Sequence, residues 1–285
     1  LDVIDSAEEM QQIAEELRLS GKTLALVPTM GFFHEGHLEL MRMARQHADV
    51  VVISLFVNPT QFGPNEDLST YPRDLEGDLS KAEEVGVDLA FVPSVEEMYS
   101  RDFQTKVSVD KVTKHLCGIS RPTHFDGVTT VVAKLFNITK PHIAVFGQKD
   151  FQQLAVVSRM VKDLNMDVRI VGVPTVREPD GLAMSSRNVY LGPEERNSAL
   201  CLKKSLDLAR DLVNQGEVEA RNVIKAVKDL ILSHPHTQID YVNLCDPVTM
   251  EDVETLEGEA LLALAVKVGR TRLIDNCLIG GVAQH

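Results

Sequence analysis

The sequence predicts an α/β protein: a doubly wound parallel sheet followed by a smaller C-terminal α+β unit with an antiparallel sheet. Three observations predict it. Short apolar runs rich in β-branched residues recur at 23–27, 50–57, 88–92, 142–146 and 168–173. Amphipathic stretches of helical length lie between most of them, at 38–47, 75–85, 127–138 and 151–164. Strands that alternate with helices in this way pair in parallel and carry helices on both faces. Beyond Arg187 the texture changes to two helical stretches and then three strand-like runs, the order of a separate α+β unit.

Each element has a local signal. Ser6-Ala7-Glu8-Glu9 is a capping box that opens a helix to about Leu19, closed by Gly21. Leu38, Leu40, Met41 and Ala44 recur at helical spacing after the apolar run at 23–27. Gly192-Pro193-Glu194-Glu195 starts a long helix to about Gln215 that Gly216 stops. A second helix runs from about Glu219 to Ser233, and His234-Pro235-His236 reads as a loop before strands at 238–244, 260–268 and 272–279. The expected division is 1–180 and 181–285, the join falling inside the 176–187 loop.

A chain of 285 residues with 44% hydrophobic and 25% charged residues is an ordinary globular composition, long enough for about two domains. No apolar run approaches the ~18 residues that suggest a membrane helix. The opening Leu1-Asp2-Val3-Ile4 lacks the basic-then-apolar order of a secretory signal, and a cytoplasmic location is expected. Cys117, Cys201, Cys245 and Cys277 form no C-x-x-C, consistent with reduced, buried thiols rather than a zinc site. A net charge of -13 disfavours a nucleic-acid partner, which calls for a basic face, but leaves room for a small anionic substrate in a local cationic pocket.

The most informative stretch is Pro28-Thr29-Met30-Gly31-Phe32-Phe33-His34-Glu35-Gly36-His37, between an apolar strand and a helix. A helix N-terminus presents unpaired N–H groups and the positive end of the macrodipole, both attractive to phosphate. Two imidazoles three residues apart share one face of that first turn and can donate to phosphate oxygens, while Gly36 lets a ligand approach the backbone. The alternatives are a half-buried histidine pair in an ordinary turn and a zinc site, the latter short of further ligands at suitable spacing.

Ligands of a doubly wound sheet bind beyond the carboxyl ends of its strands, and three further polar loops fall at such ends. The first, around Asn58 and Gln61, offers an amide that can both donate and accept. The second, Gly147-Gln148-Lys149-Asp150, offers a cation for phosphate and a carboxylate for a helix cap or a ribose hydroxyl; Gln153 follows one turn into the helix. The third runs from Val176 to Asn188, where Met184-Ser185-Ser186-Arg187 makes a phosphate clamp and Asp180-Gly181 a turn that could let it swing. Among the acidic residues after Tyr71, Asp78 is the candidate to approach magnesium, which on a nucleotide needs only one or two carboxylates.

Together the blocks PTMGFFHEGH, FVNPTQF, YPRD, RPTHFDGV, FGQKDFQQL and DGLAMSSRN resemble the pantoate:beta-alanine ligases, in the nucleotidyltransferase superfamily that shares the His-x-Gly-His signature. The resemblance runs from about Thr23 to Arg187; the C-terminal unit matches in length and layout. It implies a Rossmann-like domain that binds ATP and pantoate, with 181–285 as a lid. The implied reaction joins (R)-pantoate to beta-alanine through a pantoyl adenylate, using ATP and magnesium and releasing AMP and pyrophosphate. Catalytic roles fall on His37, His34, Lys149, Ser185, Ser186 and Arg187. ATP would be lined by 28–37 and by Gly147, Gln148, Lys149, Asp150, Val176, Met184, Ser185, Ser186 and Arg187. Gln61 and Gln153 would hold pantoate, with Asn58, Tyr71, Arg121 and His124 beside the substrates and Asp78 near magnesium. The resemblance also implies a homodimer paired through the N-terminal domain. Two departures stand out: Phe32-Phe33 where Ala-Leu is common, and Arg187 where the related tRNA synthetase loop has lysine, which gives Lys149 the part of second cation. A rival nucleotidyltransferase that transfers AMP or CMP without ligation has no use for Gln61 and Gln153.

Overall fold

The computed structural model describes residues 1–64 and 66–280. In chain order the elements are β1 (Asp2–Ile4), α1 (Ala7–Leu19), β2 (Leu24–Thr29), α2 (Glu35–His47), β3 (Val50–Leu55), α3 (Leu75–Glu84), β4 (Leu89–Phe91) and α4 (Val95–Met98). There follow α5 (Cys117–Ser120), α6 (His124–Thr139), β5 (Ile143–Gly147), α7 (Phe151–Asp163) and β6 (Arg169–Val173). The remainder is α8 (Pro193–Ala199), α9 (Cys201–Asn214), α10 (Ala220–Leu232), β7 (Thr237–Cys245), β8 (Ala260–Val268) and β9 (Thr271–Ile279). By its internal contacts the chain divides into two compact units, 1–109 with 121–148 and 156–174, and 110–120 with 149–155 and 175–285.

The first unit is the parallel sheet, in the order β1-β4-β3-β2-β5-β6. Ala25, Val27, Val51, Ile53 and Val145 share one core with Met41 and Ala44 of α2. Their alternates Leu24, Leu26, Val52 and Ala144 are equally buried and by the two-residue period face the other side, where α1 and α6 meet β2. Both faces are thus covered, which is why these strands read as continuous apolar runs rather than alternating ones. Ser6 caps α1, its hydroxyl accepting from the Glu9 N–H.

The second unit is an antiparallel β7-β8-β9 sheet with α8, α9 and α10 over it. Leu202, Leu206, Val223, Val227 and Ile231 pack against Leu244, Leu262, Leu264 and Val266 in one core.

Three local features depart from the sequence reading. The edge strand β1 is too short to carry a periodic signal. The helix at 127–138 begins earlier, at His124. The single helix expected from Pro193 to Gln215 is two, because the Leu200 N–H turns to the Ser198 carbonyl and the i→i−4 ladder lapses there while φ and ψ stay helical.

Candidate functional site

The first unit opens where its strand order reverses. β2 pairs with β3 from Leu24 to Thr29, but with β5 only at Ala25 and Leu26. The two strands part beyond that point, making the crevice at which doubly wound sheets bind ligands. Pro28 contributes to the opening, since it has no N–H to offer a neighbouring strand. Beside it the Thr29 hydroxyl donates to the Ser54 carbonyl at 2.6 Å.

After β2 the chain reverses through a tight turn. Gly31 and Phe32 have φ of +86° and +54°, and the left-handed region is uncommon for an aromatic residue. The Asp78 carboxylate holds the turn, accepting the Phe32 N–H on Oδ2 and the Phe33 N–H on Oδ1, each at 2.6 Å. Asp78 is 1% exposed. Burial pushes its carboxyl above the ordinary carboxylate value, and the two N–H bonds oppose that rise. Lys81, one turn along α3, donates to the Phe33 carbonyl at 3.0 Å. Asp78, expected near magnesium, is withdrawn from solvent with both oxygens engaged by the main chain.

The turn delivers His34 as the N-cap of α2. His34 Nδ1 accepts from the Gly36 N–H at 3.1 Å, and His37 Nδ1 accepts from the His34 N–H at 3.3 Å. A backbone N–H can only donate, so both rings are held with Nδ1 unprotonated and the proton on Nε2. The rings lie 4.1 Å apart between centroids, and Phe33 packs 5.3 Å from the His37 ring. This is a pair of oriented N–H donors at the positive end of a helix, opening beyond the carboxyl ends of β2 and β5.

Gln61 reaches the same turn, its Nε2 donating to Met30 Sδ at 3.2 Å. Asn58, 1% exposed, donates to Gln61 Oε1 and to the Gly127 carbonyl, and its own oxygen accepts from Thr60 and the Tyr99 hydroxyl. Its side-chain capacity is taken up inside the protein, where it braces the Gln61 amide. Arg121 pairs with Glu66 through both carboxylate oxygens and donates to the Gln61 carbonyl, which also meets His124 Nδ1 at 2.9 Å. Through these contacts Arg121 and His124 fix the loop that presents Gln61. Tyr71, 6% exposed, sits edge-on to Phe62 at 6.0 Å.

In the second unit Lys149 and Asp150 form an ion pair of 3.6 Å, and Asn276 of β9 donates to the Lys149 carbonyl. Gln152 is buried and bonds Cys117 N, Val112 O and His115 O, whereas the side chain of the half-buried Gln153 next to it has no hydrogen-bonding partner among the described residues. The segment from Val176 to Asn188 folds back on itself, Met184 N donating to Val176 O and Glu178 N to Leu182 O. Arg177 is held by the buried Asp275, and Arg196 by Glu178 and Asp180. The Arg196 guanidinium keeps both Glu178 and Asp180 below the ordinary carboxylate range. The Asp180-Gly181 turn is thus tied at its base by Arg196. Ser185 caps the following turn by accepting from Arg187 N, and Ser186 is buried.

Lys81, Gln152, Gly127 and the Glu178–Arg196 pair were not singled out from sequence. Only the adjacent Gln152-Gln153 pair carried any signal, one amide too many for one role.

A doubly wound sheet with a histidine-capped helix at its switch point defines an α/β enzyme whose site lies at the strand ends. The family model described as pantoate-beta-alanine ligase matches residues 2–278, and the chain belongs to that family of ligases. It is 58% identical over 280 residues to the pantothenate synthetase of Syntrophus aciditrophicus, covering 98% of both chains. The crystal structure of pantothenate synthetase from Thermus thermophilus is similar with a TM-score of 0.92 at 44% identity, over 97% of this chain and 99% of that one. A pantoate-beta-alanine ligase from Francisella tularensis, solved with beta-gamma ATP and beta-alanine, is similar with a TM-score of 0.80 at 32% identity, over 98% and 97% of the two chains. No helix among the described residues is long and apolar enough to cross a membrane.

Proposed function

We propose that the protein makes pantothenate from (R)-pantoate, beta-alanine and ATP by way of a pantoyl adenylate. A pantoate carboxylate oxygen attacks the α-phosphorus of ATP, and the bond to pyrophosphate breaks as the new P–O bond forms. The beta-alanine amine then attacks the acyl carbon; the amide forms as AMP leaves with the electron pair of the acyl–oxygen bond, and the nitrogen sheds its protons to solvent.

The observation that carries this reading is the pair of imidazoles at the start of α2, each with Nδ1 accepting from the main chain and the proton therefore on Nε2. Attack at phosphorus spreads negative charge over the equatorial oxygens, so fixed donors supply most of the catalysis and no protein nucleophile is required. His34 and His37 take that role, and the turn from Pro28 to Phe33 lines ATP with Gly147, Gln148, Asp150, Val176 and Met184. Lys149, Ser185, Ser186 and Arg187 neutralise phosphate. Gln61 and Gln153 hold pantoate through its hydroxyl and carboxylate groups. The ligand-bound Francisella tularensis relative supports ATP and beta-alanine as substrates.

Magnesium would accompany ATP and neutralise its phosphates. Asp78 does not fit as its ligand, and among the described residues no three His, Cys, Asp or Glu side chains gather to hold a metal. The reading also takes 1–180 as the catalytic domain and 181–285 as a lid that keeps water from the adenylate. The protein is taken as a cytoplasmic homodimer, and a monomer mass by light scattering refutes the dimer.

The deciding experiment measures pyrophosphate release from ATP, magnesium and (R)-pantoate, with and without beta-alanine. Pantoate-dependent release, with AMP and pantothenate accumulating only once beta-alanine is added, is expected. No release from a protein that binds ATP sinks the reading.

A further inference from the structure

The Gly31-Phe32-Phe33 turn is held in a conformation that its own sequence does not favour. Phe32 sits at φ +54°, where a Cβ crowds the backbone, and Gly31 at +86° precedes it. An outlier of this kind persists only where its surroundings over-determine it. Here α3 does so along three successive peptides: Asp78 accepts the N–H groups of Phe32 and Phe33, and Lys81 donates to the Phe33 carbonyl. Successive N–H groups converging on one carboxylate form the concavity that elsewhere binds a free anion. Gly31 is required for the approach, since a Cβ on it would stand 2.9 Å from Asp78 Oδ2. Phe33 then packs on the His37 ring, and His34, the next residue, accepts the first cap bond of α2.

We propose that Asp78 is a positioning residue, the built-in anion of this turn, which with Lys81 sets the start of α2 and so the orientation of the His34 and His37 rings. The role assigned to those rings comes from the function proposed above; the clamp itself does not depend on it.

The test pairs two measurements on Asp78→Asn, Asp78→Ala and Lys81→Ala. Histidine side-chain 1H–15N spectra of the protein without nucleotide or metal report the ring tautomers. Pyrophosphate release at varied magnesium reports kcat and the half-saturating magnesium concentration. A clamp predicts that the Nε2–H pattern of His34 and His37 gives way to mixed tautomers and that kcat falls about 100-fold, the scale expected when catalytic groups are misplaced by about 1 Å. The magnesium requirement should stay within about twofold of wild type, whereas loss of metal-site groups weakens metal affinity by about 10–100-fold. Unchanged histidine spectra overturn the clamp, whatever the magnesium dependence does. If the Asp78 variants do not fold, Lys81→Ala decides: it keeps the carboxylate, and unaltered histidine spectra in it likewise overturn the proposal. Absence of pyrophosphate release in the wild type would sink the proposed reaction, yet the spectra would still read the clamp.

Discussion

A Cβ on Gly127 would stand 2.6 Å from the backbone nitrogen of Gln61, closer than real Cβ contacts allow. Helix α6 therefore lies directly on the main chain of the loop that presents Gln61, and only glycine fits at the crossing. With Arg121 and His124 on the Gln61 carbonyl and Asn58 on its side chain, this helix end sets the height of the amide. Gly127→Ala should push the loop away, raising KM for pantoate about tenfold and costing about 1–3 kcal/mol of stability, as overpacking does. Steady-state kinetics and urea unfolding check both numbers; an unchanged KM would mean that Gln61 is not placed by this contact.

His34 has two separable roles. Its Nδ1 caps α2, and its Nε2–H is the donor assigned to the chemistry. His34→Asn keeps a good cap, so stability should hold while pantoate-dependent pyrophosphate release drops. His34→Ala should lose the cap as well, at about 1 kcal/mol. His37→Ala, which removes one oriented donor, is expected to lower kcat by about 10²–10³-fold.

The neighbouring amides Gln152 and Gln153 should fail in opposite ways. Gln152→Ala abandons Cys117 N, Val112 O and His115 O in a buried place and should cost about 1–3 kcal/mol. Gln153→Ala should move stability by less than about 0.5 kcal/mol and instead weaken pantoate. Thermal melts and a pantoate titration of the two variants distinguish them; a stability loss in Gln153→Ala would count against its role.

Acid should loosen the base of the 176–188 segment. Arg196 holds Glu178 and Asp180 below their ordinary values of 4.5 and 3.8. A carboxyl lowered in the folded state contributes stability above its unfolded value and loses it as pH falls through the folded one. The stability difference between wild type and Arg196→Ala should therefore be full near pH 6 and close progressively below about pH 4.5. These groups are 28–36% exposed, so solvent screening holds the difference to about 1 kcal/mol or less. A gap that does not narrow at all between pH 6 and the acid limit of folding would mean that Arg196 acts through packing.

Sequence disclosed the parts of the site whose cause is local. The start of α2 is a cap, and a cap needs only the residues within one turn of it, so the histidine pair could be placed before any contact was known. What escaped depends on distance along the chain. Asp78 lies 45 residues from Phe33 and Gly127 lies 66 from Gln61, and no periodicity links either pair. Asn58 and Gln61 present the same chemistry three residues apart, and only the burial of Asn58 tells which one is consumed. The break at Leu200 has neither glycine nor proline to announce it.

The locked tautomers set a limit on what the two histidines can do. With Nδ1 accepting from the main chain and Nε2 carrying hydrogen, each imidazole is set up to give a hydrogen bond rather than to receive one. The rings are thus suited to phosphate oxygens, and use of either as a base costs it a main-chain hydrogen bond. In the proposed reaction the simplest source of a free beta-alanine amine is then the unprotonated amine arriving from solution. The second half-reaction should then quicken as pH rises through neutrality while the first does not, an asymmetry written into the chain by two backbone N–H groups.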